Sequence, residues 1–329
     1  MSDALLEPDR EPARRVAAER PSRERFSTRR LSVDVDGDSC AATLYRPRDV
    51  DRPATVILAN GFAAEAAFGL DRIAERLADA GYAAVTFDYR GFGDSEGEPL
   101  VLPGRQVADW SATVDRVRGI ETLGDGIALW GVSLSGGHVV RVAAERDDVD
   151  AVVARTPFAD GRSLLRSKSP GYLLRATAAG VRDRVGGPVG RPRRVKVYGR
   201  PDEFAALNEP GALDGYAALI PRDSTWQNRT RARSLLALPR YRPVTDAESV
   251  RCPALVVAGT DDEVVPYATA ETLAERLPES SLVALPMGHF DAWDDRFVEV
   301  LAHEVAFLDA ALGDRTGTVA RTDTAERHI

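Results

Sequence analysis

Two neighbouring serines, four histidines and an adjacent pair of aspartates are the residues of this 329-residue chain whose types and spacing point to chemistry. In "IALWGVSLSGGHVV", Ile127 to Val140, an apolar run breaks into Ser133 and Ser135 amid small residues, and a helical pattern begins near Gly136. A serine on a sharp strand-to-helix turn is exposed as a nucleophile, and small side chains two positions before and after it relieve the crowding of that turn. Two frames satisfy the size rule, Gly131-Val-Ser133-Leu-Ser135 and Ser133-Leu-Ser135-Gly-Gly137. The buried strand is expected to end at Gly131, which puts Ser133 just beyond it; Ser133 is preferred and Ser135 held in reserve. Turns of this composition are also common helix entries without chemistry, so other residues must decide.

A serine hydroxyl needs a base to take its proton, and the base needs an acid to fix its tautomer and stabilise its charged form. His328 falls in a polar end segment, His303 lies off the apolar face of its helical pattern, and His138 sits inside the elbow helix. His289 follows a strand-like run in "LPMGHFDAW", a Gly-containing loop from which a side chain can lean over a sheet edge. The acids on offer are Asp261 and Asp262, directly after the strand-like "ALVVAG", of which one should reach the imidazole. Asp160, in "RTPFADG", is the reserve.

Such groups need a scaffold that brings strand ends together. "LSVDVDGDSCAATLYRP" alternates at Leu31, Val33 and Val35 and turns at Asp36-Gly37, which predicts an antiparallel hairpin. Strand-like "ATVILAN", a helix on Leu70, Ile73 and Leu77 stopped by Gly81, strand-like "YAAVTFDY", and a helix on Val107, Trp110, Val114 and Val117 come next. "GIALWG", the elbow helix and "VDAVVAR" continue the alternation, which resumes with "ALVVAGT", a helix around Leu273 and Leu277, "SLVALP" and a last helix from Phe297 to Leu312. A hairpin followed by alternating β and α predicts an α/β fold, a mostly parallel sheet covered by helices on both faces.

Residues 157–248 break the alternation and are expected to form an inserted helical lid, with a helical piece near Thr225 to Leu238. The core then comprises 28–156 and 249–313, and residues 1–27 and 314–329 are expected as mobile tails. The insert supplies Phe158, Tyr172, Leu173, Phe204, Tyr216 and Trp226 with arginines such as Arg162, Arg166 and Arg175. Amphipathic faces usually bury and arginines usually face solvent.

Composition narrows the remaining classes. A net charge of -8, with basic residues scattered among acidic ones, argues against nucleic acid as a partner. No apolar run has the length to span a bilayer, so neither a membrane partner nor a secretory signal is expected and a cytoplasmic location is the default. Cys40 and Cys252 are too few for a disulfide framework or a cysteine metal cluster and read as small buried residues. Lys168 and Lys196 are the two lysines among 43 basic residues.

Ser133, an aspartate of the 261–262 pair and His289 occur in the chain order of the α/β-hydrolase superfamily, which the chain resembles from about Leu31 to Leu312. "GTDDEVVP" is similar to its G-x-x-D-x-x-V-P acid loop, which selects Asp262; "MGHFD" is similar to its histidine loop, and "DYRGFGDSEGEP", Asp88 to Pro99, to its D-x-R-G-x-G-x-S loop. The lidded arrangement is similar to dienelactone hydrolases, serine Xaa-Pro dipeptidyl peptidases and polyketide acyltransferases. The resemblance implies attack by Ser133 on a small-molecule acyl substrate, proton transfer by His289 and hydrolysis of an acyl-enzyme, with no metal or organic cofactor. It also implies an oxyanion hole of two backbone N–H groups, one from Leu134 and one from Phe62, although Asn60-Gly61-Phe62 stands where many members carry His-Gly. An ester or thioester hydrolase leads; an acyltransferase or peptidase using the same residues, and a non-catalytic ligand-binding protein on the same fold, are the alternatives.

Overall fold

The computed structural model describes Val16, Ala18 and residues 20–313. Residues 1–15, 17, 19 and 314–329, most of the two expected tails, lie outside the described residues. Alternating inward and outward side chains fold Phe26–Val35 (β1) against Asp38–Pro47 (β2) as an antiparallel hairpin. Asp36 and Gly37 turn it at φ 53° and 85°, the left-handed pair that matches strand twist. The first strand thus starts at Phe26, inside the segment expected as tail, because Phe26 buries against Tyr45.

The chain then alternates through Thr55–Ala59 (β3), Leu70–Ala80 (α1), Ala83–Phe87 (β4), Pro103–Arg118 (α2), Ile127–Val132 (β5), Leu134–Glu145 (α3) and Ala151–Arg155 (β6). An insert follows, comprising Arg162–Ser167 (α4), Pro170–Gly186 (α5), Arg194–Tyr198 (β7), Ala205–Leu207 (β8), Ala212–Leu219 (α6), Thr230–Arg231 (β9) and Ser234–Ala237 (α7). Alternation resumes with Ala254–Gly259 (β10), Tyr267–Arg276 (α8), Ser280–Leu285 (β11) and Phe297–Leu312 (α9). The main sheet has the order β1-β2-β4-β3-β5-β6-β10-β11, antiparallel through β1, β2 and β4 and parallel from β4 onward.

Strands β3 to β6 and β10 are buried at every position, as expected where helices cover both faces. The two-residue period sends Ile57, Val85, Leu129, Val152 and Val256 to the face under α2, α3 and α8. Val56, Ala84, Trp130, Val153 and Leu255 go to the face under α1 and α9. Among the described residues no helix is long and apolar enough to cross a membrane.

The insert departs from the helical reading. Its helices are joined by a three-stranded sheet of order β8-β7-β9, and the helix expected near Thr225 to Leu238 shrinks to the single turn of α7. Distant acceptors take backbone donors that a local helix would have used: the Ala232 N–H donates to the Arg193 carbonyl at 2.9 Å and the Arg233 N–H to Asp183 Oδ2 at 3.2 Å. Asn228 Oδ1 accepts in turn from the Val197 and Tyr198 N–H groups at 2.9 and 3.0 Å, while β9 pairs with β7. The buried Asp183 carboxylate of α5 accepts from Arg231 Nε (2.7 Å), Arg233 Nε (2.8 Å) and the Arg193 N–H (2.8 Å). Burial opposes its ionisation, but those hydrogen bonds hold it below the usual carboxylate range.

Candidate active site

Strand β5 must stop abruptly for a serine to stand clear of the sheet. Ser133 sits at φ 55° and ψ −119°, a strained conformation for a residue with a side chain, between β5 and the first turn of α3. A Cβ on Gly131 would lie 2.2 Å from the Ser135 carbonyl oxygen, and one on Gly61 would lie 2.9 Å from Ser133 Cβ, so both positions admit only hydrogen. The elbow helix begins at Leu134, two residues ahead of the expected Gly136, because the turn feeds directly into it.

Ser133 Oγ lies 3.1 Å from His289 Nε2, and His289 Nδ1 lies 2.7 Å from Asp262 Oδ2. A carboxylate only accepts, so Nδ1 carries the hydrogen and Nε2 offers its lone pair to the serine. The other Asp262 oxygen accepts from the Val264 and Val265 N–H groups at 2.9 and 2.7 Å, which fixes the carboxylate. Asp261 points to solvent and Asp262 inward, so one of the adjacent pair reaches the imidazole. Asp160 pairs instead with Arg242, at 2.8 and 3.1 Å, and ties the start of the insert to its end.

Ser135 is buried and its hydrogen is committed. Trp110 Nε1 donates to Tyr89 Oη at 2.8 Å, Tyr89 donates to Ser135 Oγ, and Ser135 donates to the Asn60 carbonyl. Asn60 Nδ2 in turn donates to the carbonyls of Glu65 (2.7 Å) and Phe68 (3.3 Å), so the asparagine closes the loop after β3 from within. The Phe62 and Leu134 N–H groups donate to no protein acceptor among the described residues. Both residues line a pocket with Ser133, and Leu134 opens a helix whose dipole favours an anion there.

The pocket is narrow, with a cavity volume of about 60 Å³, and is walled by Phe158, Leu164, Tyr172, Leu173, Leu235 and Val265 among others. Arg162, Arg166 and Arg175 are exposed and line none of it. Tyr216 and Trp226 reach the loop after β3: Tyr216 Oη donates to the Phe62 carbonyl at 2.8 Å and Trp226 Nε1 to the Ala63 carbonyl at 2.9 Å. Their rings stack on Tyr198, with centroids 4.9 and 6.0 Å away. Phe204 packs on Tyr172 at 5.5 Å.

The loop from Asp88 to Pro99 braces the same region. Asp88 Oδ1 accepts from the Ala66 N–H at 2.6 Å, and burial pushes its carboxyl up to about 6. Arg90 clamps Asp109 at 2.5 Å and Asp36 of the hairpin turn at 2.9 Å. His138 is fully buried between Tyr241 Oη (2.7 Å) and Gln106 Oε1 (3.2 Å), and burial lowers it to about 3. Both thiols are buried, which pushes Cys40 up to about 12 and Cys252 up to about 11.

One supporting pair escaped the sequence reading. Arg155, at the end of β6, accepts the Ser133 N–H on its carbonyl at 2.9 Å. Its guanidinium binds Glu304 of α9 at 2.6 and 2.8 Å and lies over Trp130 and Trp293, 4.7 and 5.3 Å from the ring centroids. A lone glutamate between Leu301, Val305 and Leu308 on an apolar helix face was the available signal, since a buried carboxylate needs a cation.

The model of the family "Serine aminopeptidase, S33" matches residues 51–286. The quorum-quenching protein AidA of Acinetobacter baumannii is 32% identical over 285 residues, 84% of this chain and 94% of its own. A thiohydrolase of Eupenicillium brefeldianum is 23% identical over 83% of this chain and 91% of its own. The structure of DcsB in complex with its substrate analogue superposes at a TM-score of 0.77, with 21% identity, over 87% of this chain and all of that one. Sheet order, flanking helices and family match agree: the chain is a hydrolase of the α/β-hydrolase superfamily and belongs to the serine aminopeptidase S33 family.

Proposed function

We propose that the protein hydrolyses a carboxylic ester or thioester of a small molecule through an acyl-enzyme. The observation that carries this reading is the contact of Ser133 Oγ with His289 Nε2 at 3.1 Å, backed by Asp262 at 2.7 Å. His289 takes the Ser133 proton as the oxygen attacks the acyl carbon, then returns a proton to the departing alcohol or thiol. Water then attacks the acyl carbon and gives its proton to the same nitrogen, which passes it to Ser133 Oγ as the bond from that oxygen to the acyl carbon breaks and the acid leaves. Phe62 and Leu134 N–H groups receive the carbonyl oxygen as it becomes negative. The insert acts as the lid, since its residues wall the pocket over the serine. The thiohydrolase relative supports the thioester branch.

An aminopeptidase needs a free carboxylate to hold the substrate ammonium. Glu209 is the one carboxylate among the described pocket residues, and Lys168 already pairs with it at 2.5 Å, which favours the ester reading. A fluorophosphonate probe should label Ser133 in the wild type and not in Ser133→Ala, whose hydrolysis of p-nitrophenyl esters falls about 10⁴-fold or more. Labelling that survives Ser133→Ala but is lost in Ser135→Ala would transfer the role to Ser135. Aryl amides run beside the esters should turn over far more slowly; the reverse order would establish the peptidase.

A further inference from the structure

Lys168 and Glu209 are the charged side chains among the residues that line the pocket beside Ser133, in a wall otherwise built from apolar groups. Their side chains are 8% and 11% exposed and meet at 2.5 Å. A buried ion pair gains little stability over apolar residues of the same size, since both charges lose water. It lines the same pocket as Ser133, and it uses one of the two lysines in a chain with 43 basic residues. An arginine fork would carry two more donors than the ammonium.

The hydrogen-bonding capacity of the pair is unequal. The ammonium has three donors, and its neighbours are Glu209 Oε1, Asn208 Oδ1 and the face of Tyr172, whose centroid lies 4.9 Å away. The carboxylate has about four lone-pair sites, of which Lys168 engages Oε1 and the Asn208 N–H engages Oε2 at 3.0 Å. Free capacity therefore remains on the acceptor. Because the ammonium neutralises that acceptor, the site suits a neutral donor better than a substrate ammonium or carboxylate.

We propose that Lys168 and Glu209 form an acyl-side subsite in which Glu209 accepts a hydrogen bond from a hydroxyl or amide N–H carried on the acyl chain, with Lys168 holding the carboxylate in place. The assignment rests on the acyl-enzyme reading above. It makes the substrate a functionalised acyl ester rather than a plain fatty one.

The test uses the full chain and p-nitrophenyl esters of one chain length, either plain, hydroxylated at successive carbons, or interrupted by an amide. The wild type should prefer one donor-bearing ester by about 10- to 100-fold in kcat/KM, the discrimination that one hydrogen bond to a charged acceptor provides. The double variant Lys168→Leu/Glu209→Leu, which leaves no charge unpaired, should lose that preference and gain on the plain ester. Glu209→Gln, which keeps the shape, should retain part of it if the double variant does not fold. Equal rates on all esters in the wild type, or a preference that the double variant keeps or that Glu209→Gln leaves undiminished, overturns the subsite. Fluorophosphonate labelling of Ser133 is recorded alongside: absent labelling defeats the acyl-enzyme reading itself, whereas intact labelling without a preference defeats only the subsite.

Discussion

Glu304 in the core and Asp183 in the insert are both buried carboxylates bound by arginine, yet they do different work. Around Glu304 the backbone is already ordered by eight hydrogen-bonded strands, and its pair with Arg155 adds one stay between β6 and α9, directly behind the Ser133 N–H. Around Asp183 the regular ladder is short. The carboxylate itself gathers α5, β9 and the turn before β7. In the core, side chains refine positions that the backbone sets; in the insert, side chains set the positions.

That contrast can be broken most sharply at the two candidate acids. Asp262→Asn, at the end of a core strand, should lower kcat for an ester by about 10⁴-fold, because the amide stabilises the wrong imidazole tautomer. Asp160→Asn, on the seam that closes the two ends of the insert, should stay within a few-fold of wild type. A large loss from the second substitution would make the seam part of the chemistry.

Arg155→Met should cost about 3–5 kcal/mol in urea unfolding, since Glu304 is left charged and buried without its partner. Asp183→Asn should act on the insert first, raising proteolysis between residues 187 and 233 at denaturant concentrations where the main sheet still holds. Simultaneous loss of both regions would show that they unfold as one unit.

Tyr216→Phe removes a single donor and should reduce kcat several-fold to about tenfold, the range of one lost buried hydrogen bond, with a small change in melting temperature. Trp226→Phe should reduce kcat similarly but lower the melting temperature further, because it also trims a ring stacked on Tyr198. The last expected effect is a slope. His138 is neutral when folded down to about pH 3, whereas the unfolded chain takes up its proton near 6.5. Between those values the unfolded state binds one more proton, so the His138 contribution to stability is present above pH 6.5 and is lost as pH falls toward 3. Asp88, raised to about 6 by burial, acts with the opposite sign between about 6 and its ordinary value. His138→Gln should therefore show an acid limb shallower by one proton in stability-versus-pH curves.

The same contrast explains what could be read from the chain alone. Runs such as "ATVILA" and "ALVVAG" are buried on both faces, and helices such as Phe297–Leu312 show one apolar stripe, so periodicity reports them directly. The contacts of Ser133, His289 and Asp262 follow from that regularity, because each residue stands just past a strand end. In the insert, β9 has two residues and depends on partners some 30 positions away through Asn228, a dependence that no local pattern carries. The Lys168–Glu209 pair was hidden likewise: two surface-type residues 41 positions apart, brought together by the approach of α4 to β8.

The two donors from Tyr216 and Trp226 set a limit on modularity. They come from the insert, yet they end on carbonyls of the core loop that carries Phe62. A chimera that keeps the sheet and exchanges only the segment between β6 and β10 would change the pocket wall and also withdraw two props from the loop that presents the Phe62 N–H. With Phe62 in the proposed oxyanion role, specificity and rate are not separately inherited in this architecture: a recombined insert has to arrive with its own tyrosine and tryptophan, or the loop after β3 has to be redesigned with it.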